Sequence, residues 1–185
     1  RHNQHRVLLL SDLNFIRAGG TDFVNTGYQH IRYNYKLNTH FTWEFFVQTQ
    51  YNKVLRMDFR GLTGTGPRLK LIKKENLHLY VAALYMFEHE RITDEPVRHN
   101  DHRISSYITT TWLLSKHADL NATVFYQPNI ANFNDLRVAG DVALDINITK
   151  KLGFRTTFNC LYDNKQPPGI PEWTYQIKNS IDWHF

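Results

Sequence analysis

A histidine and a serine are the residues of this chain that could perform covalent chemistry together, because a hydroxyl becomes a useful nucleophile beside a base. His89 and Ser106 fall on the same face of two neighbouring predicted strands, which are joined by a link over residues 92–102. A hairpin register could place the two side chains together, as in an enzyme that acts on lipid. However, Glu88 and Glu90 alternate onto the other face, so the sequence supplies no group to orient the histidine. We favour an ordinary histidine and serine, and keep the catalytic pair as the alternative.

A second group of residues has the types that bind metal ions. His99, Asp101 and His102 lie close together in the sequence, but their spacing does not define a coordination geometry, and a solvated loop explains them more simply. The chain has one cysteine, Cys160, so it has neither a disulfide framework nor a cysteine-based metal site. The sequence therefore predicts no metal and no cofactor.

The elements that must position these side chains show a period of two residues. From Trp173 to Phe185 the odd positions are mostly large and apolar, whereas the even positions are polar. A helix would scatter the two sets, whereas a strand separates them onto two faces. The same alternation divides the chain into about ten strands, at roughly residues 4–16, 23–37, 41–53, 57–72, 77–91, 103–115, 118–128, 135–149, 151–163 and 173–185.

The links between these strands alternate in length. Tight turns at one end of the strands alternate with longer or irregular links at the other, over residues 17–22, 92–102, 128–134 and 164–172. This pattern is typical of outer-membrane proteins. The sequence predicts a single domain over residues 1–185. Its fold class is all-β, a transmembrane antiparallel up-and-down β-barrel of about ten strands with short periplasmic turns and longer extracellular loops. An even strand count places both termini in the periplasm.

The two faces of the predicted strands differ in chemistry. The apolar face carries Trp and Tyr near both strand ends, which suits the two interfaces of a membrane. The polar face would line the lumen with a network of charges. Its members are Glu44, Arg60, Arg68, Glu88, Arg103, Asp141, Arg155 and Lys178. A soluble, lipocalin-like barrel is the alternative, but it would need the Trp-rich face inside and the charges outside.

The formal net charge of +5 is spread along the chain. This spread argues against a nucleic-acid partner. Arg91, Arg98 and Lys165 all map to the long-loop end, where we expect them to contact lipopolysaccharide phosphates. Arginine suits this role because it pairs with phosphate through two hydrogen bonds.

Several segments, taken in their order along the chain, resemble those of a known protein family. They include Arg32–Tyr35, Trp43–Asn52, Arg60–Arg68, Arg103–Tyr107, Tyr126–Pro128, Asp135–Arg137, Tyr162–Asp163 and the terminal Ile181–Phe185. In this order they resemble the salt-induced (YdiY-like) outer-membrane protein family, a domain-of-unknown-function β-barrel family, in a form associated with Bacteroidota. Phe185 resembles the terminal signal that the barrel-assembly machinery reads. The resemblance implies an integral protein of a Gram-negative outer membrane. It implies no activity and assigns no functional residue.

The expected function follows from a narrow barrel. Ten strands enclose a lumen that side chains can fill, so we expect no wide pore. We expect a non-enzymatic scaffold or accessory subunit of an envelope complex, or a narrow barrel for small solutes. The alternative is a lipid- or lipopolysaccharide-modifying enzyme. Expected partners are outer-membrane lipid, lipopolysaccharide, the assembly machinery and other outer-membrane proteins through the loops. The proline-rich segment 166–171 could contact such a protein or fold over the barrel mouth.

Overall fold

Ten β-strands make up the fold. The computed structural model describes residues 4–93 and 98–183. The strands are β1 (His5–Ala18), β2 (Thr21–Lys36), β3 (Phe41–Asn52), β4 (Met57–Lys73), β5 (Leu77–Ile92), β6 (Arg98–Ser115), β7 (Ala118–Pro128), β8 (Leu136–Asn147), β9 (Leu152–Asp163) and β10 (Trp173–Trp183). Each strand pairs antiparallel with the next, in the order β1 to β10. The all-β, up-and-down prediction is confirmed.

One boundary differs from the prediction by several residues. β6 begins at Arg98 rather than near residue 103, so the link before it spans only residues 93–97. The added residues pair with the end of β5, with Arg98 opposite Arg91 and Asp101 opposite Glu88. Polar residues occupy both faces of this extension, so the two-residue period is not visible in its sequence.

The links define two ends of the sheet. At one end, the short-turn end, the strands are joined by residues 37–40, 74–76, 116–117 and 148–151. At the other, the long-link end, they are joined by residues 19–20, 53–56, 93–97, 129–135 and 164–172.

The sheet is strongly curled. Tyr107 on β6 donates a hydrogen bond of 2.5 Å to Glu44 on β3, although three strand spacings would separate them by about 14 Å in a flat sheet. At the long-link end, the Arg56 guanidinium in the β3–β4 link reaches the carbonyl oxygen of Pro168 in the β9–β10 link at 3.3 Å. The strands therefore form a half-barrel with a concave and a convex face. Within the described ranges, β1 and β10 are its edges and do not pair with each other.

The distribution of charged and exposed apolar side chains is the reverse of that in a soluble protein. Large apolar side chains on the convex face are exposed, including Val47 at 55% and Ile177 at 59%. The most deeply buried large side chains are Arg103, Met86, Glu44 and Glu88 on the concave face, where a small hydrophobic core also lies, made of Ala82, Leu84 and Tyr107. Soluble proteins almost never bury such charges unless they are paired. The described residues include no helix that is both long and apolar enough to cross a membrane.

Two glycines allow close packing inside the curl. A Cβ on Gly64 would collide with the ring of Phe46 and with the Tyr85 carbonyl oxygen. A Cβ on Gly66 would lie 2.7 Å from the Cα of Leu84. Without a side chain at Gly64, the Phe46 ring of β3 can lie over β4, and without one at Gly66, the β5 backbone can approach β4 closely.

Candidate functional site

The deepest group of side chains surrounds Glu88, near the long-link end of the concave face. The Glu88 carboxylate accepts hydrogen bonds from Arg60 Nε and Arg103 Nε, both at 2.7 Å, and from Arg137. These residues come from β4, β5, β6 and β8. Glu88 is completely buried, and Arg103 is 1% exposed. One carboxylate therefore ties together four strands.

Further acidic groups neutralise the three guanidinium groups. Arg137 also bonds to Glu90 at 2.8 Å and to Asp163, while Arg103 Nη2 bonds to Asp135 at 2.8 Å. Together with Glu88 and Arg60 these residues form the "Glu88 cluster". The cluster holds four carboxylates and three guanidinium groups, most of whose donors are engaged. It forms a network of ion pairs on the concave face from β4 to β9, in which one buried nitrogen, Arg60 Nη2, has no hydrogen-bond partner among the described residues.

Strand alternation and register explain part of this arrangement. Arg60 lies opposite Glu90, and Arg137 lies opposite Asp163, so these pairs are neighbours on adjacent strands. The contact between Arg137 and Glu88 joins β8 to β5, three strands apart, and exists because the sheet curls.

A second buried carboxylate lies closer to the short-turn end. Glu44 accepts a 3.2 Å hydrogen bond from Arg68 Nη1, has Arg32 Nη1 at 4.0 Å, and accepts the Tyr107 hydroxyl. These four residues form the "Glu44 cluster". Two buried atoms beside it, Arg68 Nε and Asn34 Oδ1, have no hydrogen-bond partner among the described residues. One buried donor in the Glu44 cluster and one buried acceptor beside it are therefore unsatisfied by the described residues.

The other predicted members of the charge network lie outside these clusters. Asp141 accepts a hydrogen bond from Asn159, and Arg155 forms a 3.0 Å ion pair with Asp145 in which both side chains are partly exposed. Lys178 lies opposite Thr157 on β9 and joins no ion pair within the described ranges. The predicted set is therefore divided between two buried clusters and an open region.

The structure does not bring His89 and Ser106 together. His89 pairs with Asn100, to which its Nδ1 hydrogen-bonds at 2.7 Å, whereas Ser106 pairs with Ala83. The two positions on β5 are six residues apart, a separation of about 20 Å along the strand. This geometry gives no support to a Ser–His nucleophile.

The three basic rim residues lie near the long-link end. Arg91 and Arg98 are directly opposite each other on β5 and β6, and both are exposed. Lys165 is exposed in the β9–β10 link. Nearby, Lys53 is engaged by Asp58 at 2.5 Å. Phe185, the expected assembly signal, lies outside the described residues.

The histidine-rich segment forms part of β6. His102 Nδ1 contacts the Tyr85 hydroxyl at 2.5 Å, and Asp101 accepts a hydrogen bond from Asn129. Strand alternation puts Asp101 and His102 on opposite faces. Among residues 4–93 and 98–183, no group of three or more His, Cys, Asp or Glu side chains is arranged to hold a metal ion.

The proline-rich segment lies across the long-link end. Pro167 is buried, and the Pro168 carbonyl oxygen accepts the hydrogen bond from Arg56. This contact favours the interpretation in which the segment folds over the mouth.

Sequence reasoning did not identify three of the partners that complete the clusters, which are Tyr107, Asn129 and Asp135. Strand alternation puts Glu90 and Asp163 on the polar face with Glu88, as the sequence predicts, but it does not show that both meet Arg137.

Comparison with known proteins identifies the family. A family described as "Protein of unknown function, DUF481" matches residues 1–178, nearly the whole chain, so the protein belongs to it. No match was found among curated proteins.

Proposed function

We propose that this member of the DUF481 family is an integral β-barrel of a Gram-negative outer membrane, with a non-enzymatic, scaffold-like role and a plugged lumen. The observation that carries the proposal is the reversed distribution of side chains. Apolar side chains cover the convex face, and the buried charges lie on the concave face. In a membrane this arrangement places lipid on the outside and charges inside.

Strand length and the aromatic side chains support this location. The strands have 11 to 18 residues, enough for the 9–11 residues of a tilted membrane-spanning strand. Trp112 and Trp183 are exposed near the short-turn end, and Trp173 and Tyr175 near the other. Such aromatic side chains favour membrane–water interfaces. The resemblance to salt-induced (YdiY-like) outer-membrane proteins of Bacteroidota supports the same location.

The two edge strands of the half-barrel, β1 and β10, bear on how the sheet is arranged in a lipid bilayer. Unpaired backbone groups are costly in a bilayer, so β1 and β10 need partners there. Because the strand count is even, β1 and β10 run antiparallel and can pair with each other. We therefore propose that the half-barrel closes through this pair in the membrane, with both termini in the periplasm.

Cell fractionation tests the location. The expressed chain should sediment with outer membranes, resist alkaline carbonate extraction, and migrate differently on gels with and without boiling. A chain recovered in the soluble fraction, folded and without detergent, would contradict the proposal.

Conductance tests the plug. The Glu88 cluster crosses the concave face from β4 to β9, so the purified protein should show no porin-sized channel in planar bilayers. Replacing both Glu88 and Arg137 with alanine removes the central ion pair, and we expect conductance to rise. A wide, stable channel in the unmodified protein would refute the plug.

A contact with lipopolysaccharide is the second candidate function. Two exposed arginines, Arg91 and Arg98, are directly opposite each other and repel. Asp58 lies near Arg91 but is already engaged by Lys53, so a further anion at this position would be stabilising. Lipopolysaccharide phosphates in the outer leaflet would supply that anion, and Lys165 adds a third positive charge at the same end. The geometry thus favours the expected binding role over the catalytic alternative.

Substitution at both ends of the sheet tests this contact. R91Q/R98Q removes two charges at the long-link end, and K150Q/K151Q removes two from an exposed turn at the other. The first variant should co-purify with several-fold less lipopolysaccharide, and the second with an unchanged amount. Equal amounts in both would count against the contact.

A further inference from the structure

A patch of positive charge lies on the concave face near the short-turn end, away from the Glu88 cluster. Its members come from β1, β2 and β4, and we name them the "basic patch": Arg6, Arg32, Lys36, Arg68 and Lys70. Their even numbers place them on the polar face of each strand. Lys36, Arg68 and Arg6 lie close enough to Lys70 to interact with its ammonium group electrostatically, as does Lys73 at the end of β4.

The carboxylate among these cations is already engaged. Glu44 uses Oε1 for Arg68 and Arg32 and Oε2 for the Tyr107 hydroxyl. Glu75, in the turn after β4, makes no ion pair with the basic patch among the described residues. Five cations therefore face one occupied carboxylate.

One aromatic ring, that of Tyr80, holds two of these cations close together. Arg68 lies 4.1 Å and Lys70 lies 5.8 Å from the centre of the Tyr80 ring. Such cation–π contacts fix positions without neutralising charge. A preorganised group of uncompensated cations attracts an anion from solution.

The guanidinium groups indicate which anion fits. A guanidinium pairs with a phosphate group through two parallel hydrogen bonds, which a spherical ion such as chloride cannot form. The neighbouring lysines add positive charge that attracts such an oxyanion. The Arg32 and Arg68 side chains are 21% and 19% exposed, so an anion can reach them from the concave side.

We propose that the basic patch is a binding site for a phosphate group, with Arg68 and Arg32 as its principal ligands. The group is supplied either by a free phosphate or phosphate monoester or by the headgroup of an anionic phospholipid. This site goes beyond the proposed scaffold role and does not depend on it, because its binding is measured on the isolated protein.

The opposite wall of the half-barrel offers a matched control. Asp119, Asp141 and Asp145 lie on its concave side, with Arg155 and Lys178 nearby on β9 and β10. This wall is mainly acidic and should repel a phosphate. Removing two cations from it changes the net charge of the protein as much as removing two from the basic patch.

Calorimetry with inorganic phosphate, on the protein refolded in a non-ionic detergent, tests the site. K36Q/K70Q removes two basic-patch cations that no ion pair uses among the described residues, and we expect phosphate binding to weaken at least about fivefold. The control R155Q/K178Q should bind within about twofold of wild type. R68K keeps the charge but loses the two parallel hydrogen bonds of the guanidinium, and should also weaken binding. Gel mobility with and without boiling verifies that each variant is folded.

The source of the phosphate is distinguished in a second arm with micelles that contain phosphatidylglycerol or phosphatidylcholine. Saturable binding of inorganic phosphate that depends on Lys36 and Lys70 supports a free phosphate ligand. Retention of phosphatidylglycerol alone, lost in K36Q/K70Q, supports a lipid headgroup. The proposal is overturned if neither ligand binds, if chloride competes as well as phosphate, or if both double variants lose binding equally.

Discussion

Replacing Glu88 with glutamine should sharply destabilise the folded protein. Glutamine has nearly the same size and shape, so the change removes the charge while leaving the packing intact. Glu88 is completely buried and accepts hydrogen bonds from Arg60, Arg103 and Arg137. In E88Q these three guanidinium groups remain buried and repel each other around a neutral amide, whose NH2 group must also face a donor.

The magnitude follows from these contacts. Breaking one buried ion pair by removing a partner costs about 3–5 kcal/mol. Here three pairs lose their charge, but the amide oxygen still accepts one hydrogen bond. Glu90, Asp135 and Asp163 also still neutralise part of the positive charge. We therefore expect the free energy of unfolding to fall by about 3–5 kcal/mol.

Urea titration of the refolded protein in detergent, followed by tryptophan fluorescence, measures this loss. With a slope of about 2 kcal/mol per molar urea, the midpoint should fall by roughly 2 M. D145N is the matched control, because it removes one carboxylate from an ion pair whose side chains are 48% and 25% exposed. An exposed pair contributes at most about 1 kcal/mol, so this variant should unfold near the wild-type midpoint.

Two outcomes would refute the reasoning. An E88Q midpoint within experimental error of wild type would mean that water or ions already screen the three guanidinium groups. An equal loss in D145N would mean that burial does not distinguish the two carboxylates.

Three further changes test other parts of the structure. Gly66→Ala places a methyl group against the β5 backbone and should lower the free energy of unfolding by about 2 kcal/mol in the same urea titration. Gly153→Ala is its control, because the nearest atom to the new methyl group is 3.7 Å away, and it should lower the free energy of unfolding by about 0.5 kcal/mol or less. In a chromogenic ester assay, any acyl-hydrolase activity of the purified protein should be unchanged in the two single variants His89→Ala and Ser106→Ala. Loss of that activity in both variants would support the catalytic Ser–His alternative. Tyr107→Phe removes a hydrogen bond to a buried carboxylate and should lower the unfolding free energy by about 1.5–3 kcal/mol, and an unchanged midpoint would show that this bond is not formed.

The sequence predicted the strands because their signal is local. Side chains alternate between two faces along every strand, so the periods around Phe41–Asn52 and Trp173–Trp183 reveal both the strand and its polar face without knowledge of any neighbour. The exception, the start of β6, carries polar groups on both faces. Its pairing with β5 is a property of the hairpin and is not visible in residues 98–102 alone.

The sequence also predicted that charges would collect on one face, but not which of them would meet. The alternation of side chains along each strand puts Glu88, Arg137 and Lys178 on the same face of the sheet. Glu88 and Arg137 form an ion pair, whereas Lys178 lies on β10, away from both. Likewise, His89 and Ser106 share a face, and the register of β5 with β6 separates them by six positions.

Local alternation thus determined the ten strands, their two chemical faces and the end of the strand near which each residue lies. Register and curl decided the rest: the Glu88 cluster, the engagement of Glu44 by Tyr107, and the group of cations beside it. The physical reason is that these contacts join strands up to three positions apart in the sheet. Their formation depends on how all the intervening strands pair and bend together, which no single stretch of sequence encodes.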